Sequence, residues 1–407
     1  MKLLRIYILL FSLSLFGVNS TLGQKGLNIK SGDWSAYLLL NKTDKLPFKL
    51  SFNKSHFTIH NADEIIKLSD YRIHQDTVIV DFPTFNSSLH FCIKNKKKLV
   101  GYWINYNKGN NYKVPFDATY GYVSRFESIN NDVPKNVNGN WKVAFDYTSD
   151  KPEMSLGIFK QSDRILSGTF LTETGDYRYL EGNQYGNSLY LSCFDGSHAF
   201  LFVANSKNDT LIGRFLSGNH WEGNWMGTKD NTFKLKDPDS LTTLIKSDLF
   251  TFTLKDLQGN SFTFPNSTYK NKVVIIQIMG TWCPNCMDET RFYKELYSKY
   301  HAQGLEIISI GYEVGDTFEE YSKKISLLQK RLNLDFTFLV GGSAKKSLAS
   351  EQFSMLNEVI SFPTSIFIGK DGNVKRVHTG FNGPGTGSYY TEYVEKTNRL
   401  IEELLKQ

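Results

Sequence analysis

The chain has 407 residues and a formal net charge of +6; 40% of its residues are apolar and 14% are aromatic. This length suggests two or three domains, and the even composition excludes a disordered or low-complexity protein. The charge is too small for this size to indicate a nucleic-acid-binding protein, and the many Tyr and Phe residues favour β-sheets.

Residues 1–23 have the pattern of a secretory signal peptide. Lys2 and Arg5 form a positive n-region, and an apolar run follows from Ile6 to Val18. Small residues at Ser20 and Gly23 could each precede a cleavage point. The apolar run is too short for a bilayer-spanning helix, which would need about 20 apolar residues. We therefore expect a periplasmic or otherwise exported protein, soluble after cleavage, that contacts a membrane only through this segment beforehand. An uncleaved anchor is the alternative.

Residues 24–240 have the pattern of an all-β region. Turn signals such as Asp195-Gly196 separate short alternating or aromatic runs, which is typical of a barrel or a sandwich. We interpret the aromatic residues of this region as core residues. We interpret the role of the region as partner binding or positioning. The basic run at 96–98 is interpreted as a solvated hairpin tip. We predict strands at 48–52, 77–82, 89–93, 155–159, 188–194 and 199–203.

Two stretches of this region resemble each other. Gly-Asp-Trp at 32–34 resembles Gly-Asn-Trp at 139–141, and the stretch 99–103 resembles 211–215. The intervals from each Trp to the middle Gly are 67 and 72 residues, so order and spacing agree. The pattern indicates two halves of one larger β body or two similar units. The two units would occupy residues 24–135 and 136–240.

The pattern changes after a break at 237–240, and residues 246–407 alternate strands with helical periods, as an α/β domain does. The run at 273–279 is apolar enough for a strand buried on both faces. Apolar residues at helical spacing predict helices after Cys286, at 318–332 and at about 390–405. Further strands are predicted at 250–254, 305–312, 336–340, 364–368 and 374–378.

The motif Cys283-Pro284-Asn285-Cys286 comes directly after the buried strand and opens a helix. Free backbone N–H groups and the positive end of the helix dipole favour a thiolate on Cys283. Cys286 lies one turn further on the same face, where it could attack a mixed disulfide and release the partner. Pro284 suits the first helical turn, whose N–H groups lack helical acceptors. The motif therefore predicts redox chemistry.

Other uses of the cysteines fit the sequence less well. A structural zinc site needs a second Cys pair or two His, and a structural disulfide in so small a loop would stabilise little. Cys92 and Cys193 each lie in a β-like run, as buried apolar residues or, alternatively, as a bridge. We expect no metal, and no cofactor beyond the redox-active pair Cys283–Cys286.

Three motifs carry a resemblance to a known family. They are the segment 280–283, Glu289 three positions after Cys286, and Ser361-Phe362-Pro363-Thr364 before a strand. With them, the C-terminal 160 residues resemble the TlpA/ResA-like periplasmic disulfide reductases of the thioredoxin superfamily. The resemblance implies a thioredoxin-like α/β domain with a central mixed sheet at 246–407. It also implies a cis Pro363 stacked against the disulfide.

The resemblance further assigns roles to single residues. Trp282, Pro284, Phe362 and Pro363 would form the surface on which a partner docks. The backbone at Phe362 would offer β-type hydrogen bonds to an extended segment of that partner. Glu289 would assist proton transfer, because a buried carboxylate can hold a raised pKa.

Two positions depart from the family pattern. Many thioredoxins have an acidic residue six positions before the first Cys, where this chain has Gln277, and this moves proton transfer onto Glu289. The dipeptide Pro284-Asn285 differs from the family's usual one and tunes the potential, which spans about −270 to −120 mV in the superfamily. The direction of electron flow therefore stays open. A peroxiredoxin would need Thr or Ser at 280 and Pro at 276, where Gly and Ile stand.

These observations predict an exported thiol–disulfide oxidoreductase that reduces disulfides of periplasmic protein partners through a mixed disulfide on Cys283. A membrane thiol donor would restore the dithiol. The alternative is a β-domain protein that binds a ligand or polypeptide, with the thioredoxin-like module as an accessory. The Gly-rich loop 380–387 lacks the pattern of a phosphate loop, and a place at the rim of the active site is a further hypothesis for it.

Overall fold

The computed structural model describes residues 26–69, 71–109, 111–127, 132–245 and 249–407. The predicted signal peptide at 1–23 lies outside the described residues, and so does the expected start of the α/β domain at residue 246. Of the helices in the described part, none is both long enough and apolar enough to cross a bilayer.

The first sheet is antiparallel, and its strands alternate buried and exposed residues. In the second strand, Leu46, Phe48, Leu50 and Phe52 all point into the core. Within the described residues the strand order is β4-β3-β2-β1-β9-β8-β7-β6-β5, which puts two four-residue strands at the ends. The strands are β1 Gly32–Leu39, β2 Lys45–Asn53, β3 His56–Asn61, β4 Glu64–Lys67, β5 Tyr71–His74, β6 Thr77–Asp81, β7 Ser87–Asn95, β8 Lys98–Asn105 and β9 Lys113–Tyr120.

The second sheet is also antiparallel and closes on itself. The described strands run in the order β11-β10-β18-β17-β16-β15-β14-β12-β13, and β11 also pairs with β12, which makes a barrel. Phe145, Phe170, Phe202 and Trp225 fill its core with ring contacts. The strands are β10 Gly139–Phe145, β11 Glu153–Ser162, β12 Ile165–Thr172, β13 Gly175–Asp176, β14 Leu180–Tyr185, β15 Ser188–Phe194, β16 Ala199–Lys207, β17 Thr210–Ser217 and β18 Trp221–Lys229.

Equivalent residues in the two sheets support a duplication of one unit. Trp34 and Trp141 lie in the first strand of their sheets, and each ring N–H donates to the carbonyl four residues earlier, at 3.2 and 2.9 Å. The matching stretches 99–103 and 211–215 lie in β8 and β17, each beside the last strand of its sheet. The matching stretches thus lie at equivalent positions of two separate sheets. The unit boundaries proposed above stay predictions.

A buried arginine joins the two sheets. The guanidinium of Arg125 donates to the carbonyl of His60 at 2.6 Å in the first sheet. It also donates to Glu181 at 3.0 Å and to Ser192 at 3.1 Å in the second. A buried charge needs such partners, so this side chain fixes one sheet against the other.

The third sheet is mixed, as expected for a thioredoxin-like fold. Its described strands run β20-β19-β23-β22-β21-β24-β25, with β21, β22 and β23 parallel and the others antiparallel. All seven residues of β21 are buried, and the strand lies inside the sheet between β22 and β24. The strands are β19 Phe252–Asp256, β20 Ser261–Phe264, β21 Val273–Met279, β22 Leu305–Glu313, β23 Thr337–Ser343, β24 Thr364–Ile368 and β25 Val374–Thr379.

The α-helices of the described chain all belong to this C-terminal part. They are α1 Pro284–Tyr300, α2 Phe318–Leu332, α3 Lys346–Gln352 and α4 Ser388–Lys406. Short 3₁₀ turns lie at Tyr106–Lys108, Pro238–Ser240, Ser267–Tyr269, His301–Gln303 and Pro384–Thr386.

The predicted elements are confirmed, with shifts of a few residues at several ends. The bounds of β21, α2 and β24 agree with the predicted ranges. In the α/β domain two short elements, β20 and α3, were not predicted. Four and seven residues are too few for a period to separate from a turn, and tertiary packing decides such segments. Cys92 and Cys193 are both free, so the alternative of a bridge between them is wrong.

Candidate functional site

The cysteine pair lies where β21 ends and α1 begins. Cys283 is the N-cap residue of α1, with φ −94° and ψ 113°, and its sulfur accepts a hydrogen bond from the Cys286 N–H at 3.2 Å. The two residues form a disulfide, with Cα atoms 5.3 Å apart. Cys283 is 7% exposed, whereas Cys286 is fully buried. The outer sulfur is therefore the one that a partner can reach.

A buried carboxylate, which the sequence reasoning missed, holds the turn before the pair. Glu313, at the end of β22, accepts hydrogen bonds from the Thr281 N–H at 2.7 Å and from the Thr281 hydroxyl at 2.6 Å. Burial raises the pKa of Glu313 to about 7, although both bonds from Thr281 oppose the rise. A carboxylate at the end of a largely apolar strand was the signal in the sequence.

The loop before β24 lies against the outer sulfur. The Phe362–Pro363 peptide is cis, as the family resemblance implies, and the carbonyl oxygen of Phe362 lies 3.5 Å from Cys283 Sγ. The Phe362 ring stacks on Tyr312 at 5.3 Å and meets the edge of Trp282 at 6.1 Å. Both Phe362 and Pro363 are buried, so a partner would meet chiefly their backbone.

The remaining predicted docking residues differ in exposure. The ring N–H of Trp282 donates to the carbonyl of Tyr312 at 2.9 Å, which leaves this half-buried ring fixed beside the outer sulfur. Pro284 is the first residue of α1 and is buried. Trp282 is thus the predicted docking residue with the most exposed side chain.

Glu289 lies inside the domain, one helical turn beyond Cys286. Its Oε1 accepts from Ser365 at 3.0 Å, from Tyr293 at 3.1 Å and from Tyr393 at 3.3 Å. Burial raises the pKa of Glu289 to about 7, and these neutral donors limit the rise. A carboxyl with such a pKa can both accept and release a proton near neutral pH.

Gln277, the departure from the family pattern, orients this carboxyl. Its side-chain N–H donates to Glu289 Oε2 at 2.8 Å, and its oxygen accepts from Ser309 at 2.8 Å and Thr290 at 3.2 Å. A neutral amide at this position supplies a hydrogen bond without adding a second negative charge. Glu289 is therefore the ionisable partner of this pair of side chains.

The Gly-rich loop reaches the motif, which supports the hypothesis of a place at the rim. The Asn285 amide donates to the carbonyl of Phe381 at 3.1 Å. The Gly380 N–H donates to the carbonyl of Pro363 at 2.8 Å. The loop thus connects the cysteine turn to the cis-proline loop.

The β region also contacts this site, through a hairpin that the sequence reasoning did not connect with it. Asp176 accepts a hydrogen bond from the Gly383 N–H at 2.6 Å. Gly175 lies so close to the Asn285 amide that a Cβ would collide with it. Arg178 forms an ion pair with Asp288 of α1. These pairs are 110 to 207 residues apart, and no local pattern could have indicated them.

A CxxC disulfide at a strand-to-helix corner, beside a cis-proline loop on a mixed sheet, defines a protein of the thioredoxin superfamily. The Redoxin family model matches residues 246–393. The thiol-disulfide oxidoreductase ResA of Geobacillus kaustophilus is 32% identical over 131 residues, which are 32% of this chain and 66% of that protein. The ResA of Bacillus thuringiensis subsp. konkukian is 30% identical over 158 residues, 38% of this chain and 73% of that protein.

The chain belongs to the TlpA/ResA-like family of thiol–disulfide oxidoreductases. A solved structure of a thiol:disulfide interchange protein from Chlorobium tepidum TLS covers 40% of this chain and 99% of its own, at 17% identity and a TM-score of 0.30. The family assignment rests on the sequence matches alone. They fall in the C-terminal part, so the role of the β region comes from its own residues.

Proposed function

We propose that the chain is exported and that Cys283 and Cys286 reduce disulfides of periplasmic proteins. The observation that carries the proposal is the position of the outer sulfur. It caps α1 and lies beside the Phe362 carbonyl, where an extended partner segment can approach. A thiolate at a helix N-terminus has a lowered pKa and attacks at neutral pH.

The reaction balances in two exchanges. The Cys283 thiolate attacks one sulfur of the partner disulfide, the partner S–S bond breaks, and the second partner sulfur leaves as a thiolate. The Cys286 thiolate then attacks Cys283, which breaks the mixed disulfide and forms Cys283–Cys286. Two electrons pass to the partner, which becomes a dithiol after taking up two protons.

Glu289 serves the second exchange in this proposal. Cys286 is fully buried and must lose its proton before it attacks. Glu289, one turn away and with a pKa raised by burial to about 7, accepts that proton. Tyr293, Tyr393 and Ser365 hold the carboxyl in place.

The cycle needs no bound cofactor but does need a source of electrons. A membrane thiol donor would reduce Cys283–Cys286 by the same exchange in reverse. The export proposal rests on the positive n-region and apolar run of residues 1–18.

Trapping tests the function directly. In Cys286→Ser the second exchange is blocked, so mixed disulfides on Cys283 should accumulate in periplasmic extracts and be identified by mass spectrometry. The matched control is the double variant with Cys283→Ser, which should trap nothing. Equal recovery of adducts from both variants would overturn the proposal.

Turnover separates this function from that of a binding protein. The full chain should accelerate the reduction of insulin disulfides over the rate with dithiothreitol alone, and Cys283→Ser should abolish that acceleration. A wild-type protein that reduces no disulfide substrate would instead favour the β region as the functional part, with the C-terminal domain as its accessory.

A further inference from the structure

A buried set of charges connects the β region to the helix that carries the cysteines. We name it the Arg178 cluster; it consists of Arg178, Glu64, Asp195 and Asp288. The Arg178 guanidinium lies 2.5 Å from Glu64 of the first sheet and 3.3 Å from Asp195 of the second, and it contacts Asp288 of α1 directly. Three parts of the chain thus meet at one cation.

The cluster is largely buried, and Arg178 is in contact with each of its three carboxylates. The four side chains are between 0% and 13% exposed. Arg291 lies 2.9 Å from Asp288, and His198 lies 3.2 Å from Asp195, but both of these side chains reach toward solvent. An unpaired buried carboxylate is strongly unfavourable, and Arg178 is the one side chain of the described residues whose ion pairs reach all three of these carboxylates.

The backbone holds Arg178 at this place. The Asp176 carboxylate accepts the Arg178 N–H at 2.7 Å and the Gly383 N–H at 2.6 Å, which ties the arginine to the Gly-rich loop. Arg178 has a φ of 64°, a left-handed conformation that is uncommon outside glycine. The position is therefore determined by the surrounding contacts and not by local preference.

Asp288 brings the cluster to the cysteines. It lies five residues after Cys283 on α1, about 7.5 Å along the helix axis at the usual rise per residue. A buried negative charge on the same helix, little more than one turn from the sulfur, disfavours a thiolate, and a positive charge paired with it offsets the effect. The charge state of this pair therefore acts on the sulfur that attacks.

We propose that Arg178 is a positioning residue through which the β region sets the reduction potential of Cys283–Cys286. It does so by neutralising Asp288. The inference rests on the proposed function, since it presumes that the pair cycles. A stabilised thiolate stabilises the reduced form, so the arginine raises the potential and the aspartate lowers it.

Two variants of the full chain test the sign. Arg178→Gln leaves Asp288 less compensated, so the equilibrium with glutathione should move three- to tenfold toward the oxidised form, and the pKa of Cys283 should rise. Asp288→Asn should move the same equilibrium three- to tenfold toward the reduced form, and the pKa should fall. A tenfold change corresponds to about 30 mV for this couple.

Shifts of the reduction potential in opposite directions in the two variants distinguish an electrostatic role from general loosening of the site. Shifts of the same sign, or no shift in either variant, would overturn the inference. If Arg178→Gln does not fold, Asp288→Asn alone tests the inference. In Asp288→Asn the buried Arg178 still pairs with Glu64 and Asp195. A potential that is unchanged or lower in Asp288→Asn would then overturn it.

The matched control is Arg214→Gln. Arg214 of the second sheet also pairs with the first, through Asp44, but its ion pairs involve no residue of α1. Arg214→Gln should leave the reduction potential of Cys283–Cys286 unchanged. A wild-type pair that shows no reversible oxidation at all would refute the proposed function itself, which is a different result from two shifts of equal sign.

Discussion

Three buried carboxyls, Glu289 and Glu313 in the α/β domain and Asp195 in the β region, are satisfied by different kinds of group. In the α/β domain Glu289 and Glu313 receive hydrogen bonds from neutral groups, and burial raises each pKa to about 7. In the β region, burial would also raise the pKa of Asp195, but His198 and Arg178 lower it to about 2. Neutral partners leave a carboxyl able to exchange protons, whereas cationic partners keep it charged.

The comparison assigns different work to the two regions. Carboxyls that titrate near neutral pH suit proton transfer beside the cysteines. Permanently paired charges instead fix one part of the chain against another, as Arg125 does between the sheets. Four predictions test this contrast.

The largest expected effect is on the stability of the β region. Arg125→Met removes the cation that serves Glu181 and several buried carbonyls, which should destabilise the fold by about 3–5 kcal/mol. Urea denaturation monitored by far-UV circular dichroism measures it. Arg214→Met, at a half-exposed ion pair, should cost about 1 kcal/mol or less. Equal losses in both variants would contradict the contrast.

The second effect is a loss of stability of the α/β domain as pH rises. Glu289 and Glu313 are protonated in the fold below about pH 7, but the unfolded chain ionises them above their ordinary pKa of 4.5. Their contribution is complete below pH 4.5 and is lost as the pH rises through 7, by about 3 kcal/mol for each group.

Amide hydrogen exchange of β21, corrected for intrinsic rates, measures this loss. The double variant with Glu289→Gln and Glu313→Gln should have a nearly constant stability between pH 5 and pH 8. An unchanged slope in that variant would show that other groups are responsible.

The third effect is on turnover. Glu289→Gln keeps the size and polarity of the side chain but removes the proton acceptor, so the resolving step should slow by about 100-fold. Stopped-flow measurement of mixed-disulfide decay at several pH values should also lose the inflection near pH 7. Glu313 holds the turn before the cysteine pair, so Glu313→Gln should keep that inflection.

The smallest effect lies on the acid side. Asp195 contributes stability that is present above its ordinary pKa of 3.8 and is lost as the pH falls through about 2. The loss should amount to about 2 kcal/mol, and acid titration of unfolding should show it. Asp195→Asn should lack this component of the acid transition, and a variant with an unaltered transition would argue against a low pKa for this group.

The sequence predicted the parts of the molecule whose cause is local. The run at 273–279, apolar at six of its seven positions, is enough to place a buried strand. The step from that strand into Cys283-Pro284 is enough to place a helix corner. The cis Pro363 was inferred from the family motif and is confirmed by the structure.

The rest depends on contacts between distant segments. Arg178 and Asp288 are 110 residues apart, and neither differs in its neighbours from an ordinary surface charge. The importance of Glu313 could more nearly have been predicted, because a charge at the end of a largely apolar strand needs a partner inside the fold. Its partner Thr281 is 32 residues away, so the hydrogen bonds themselves required the structure.

The two ends of the first sheet have a consequence for how the protein behaves at high concentration. Unlike the barrel, this sheet stops at β4 and β5, where Ile65 is 70% and Ile73 is 51% exposed. Sheet margins of this kind recruit strands from other molecules and seed aggregates. The edge strands β4 and β5 are each only four residues long, and they carry Lys67 and Arg72 respectively. Each is therefore too short and too charged a template for such growth.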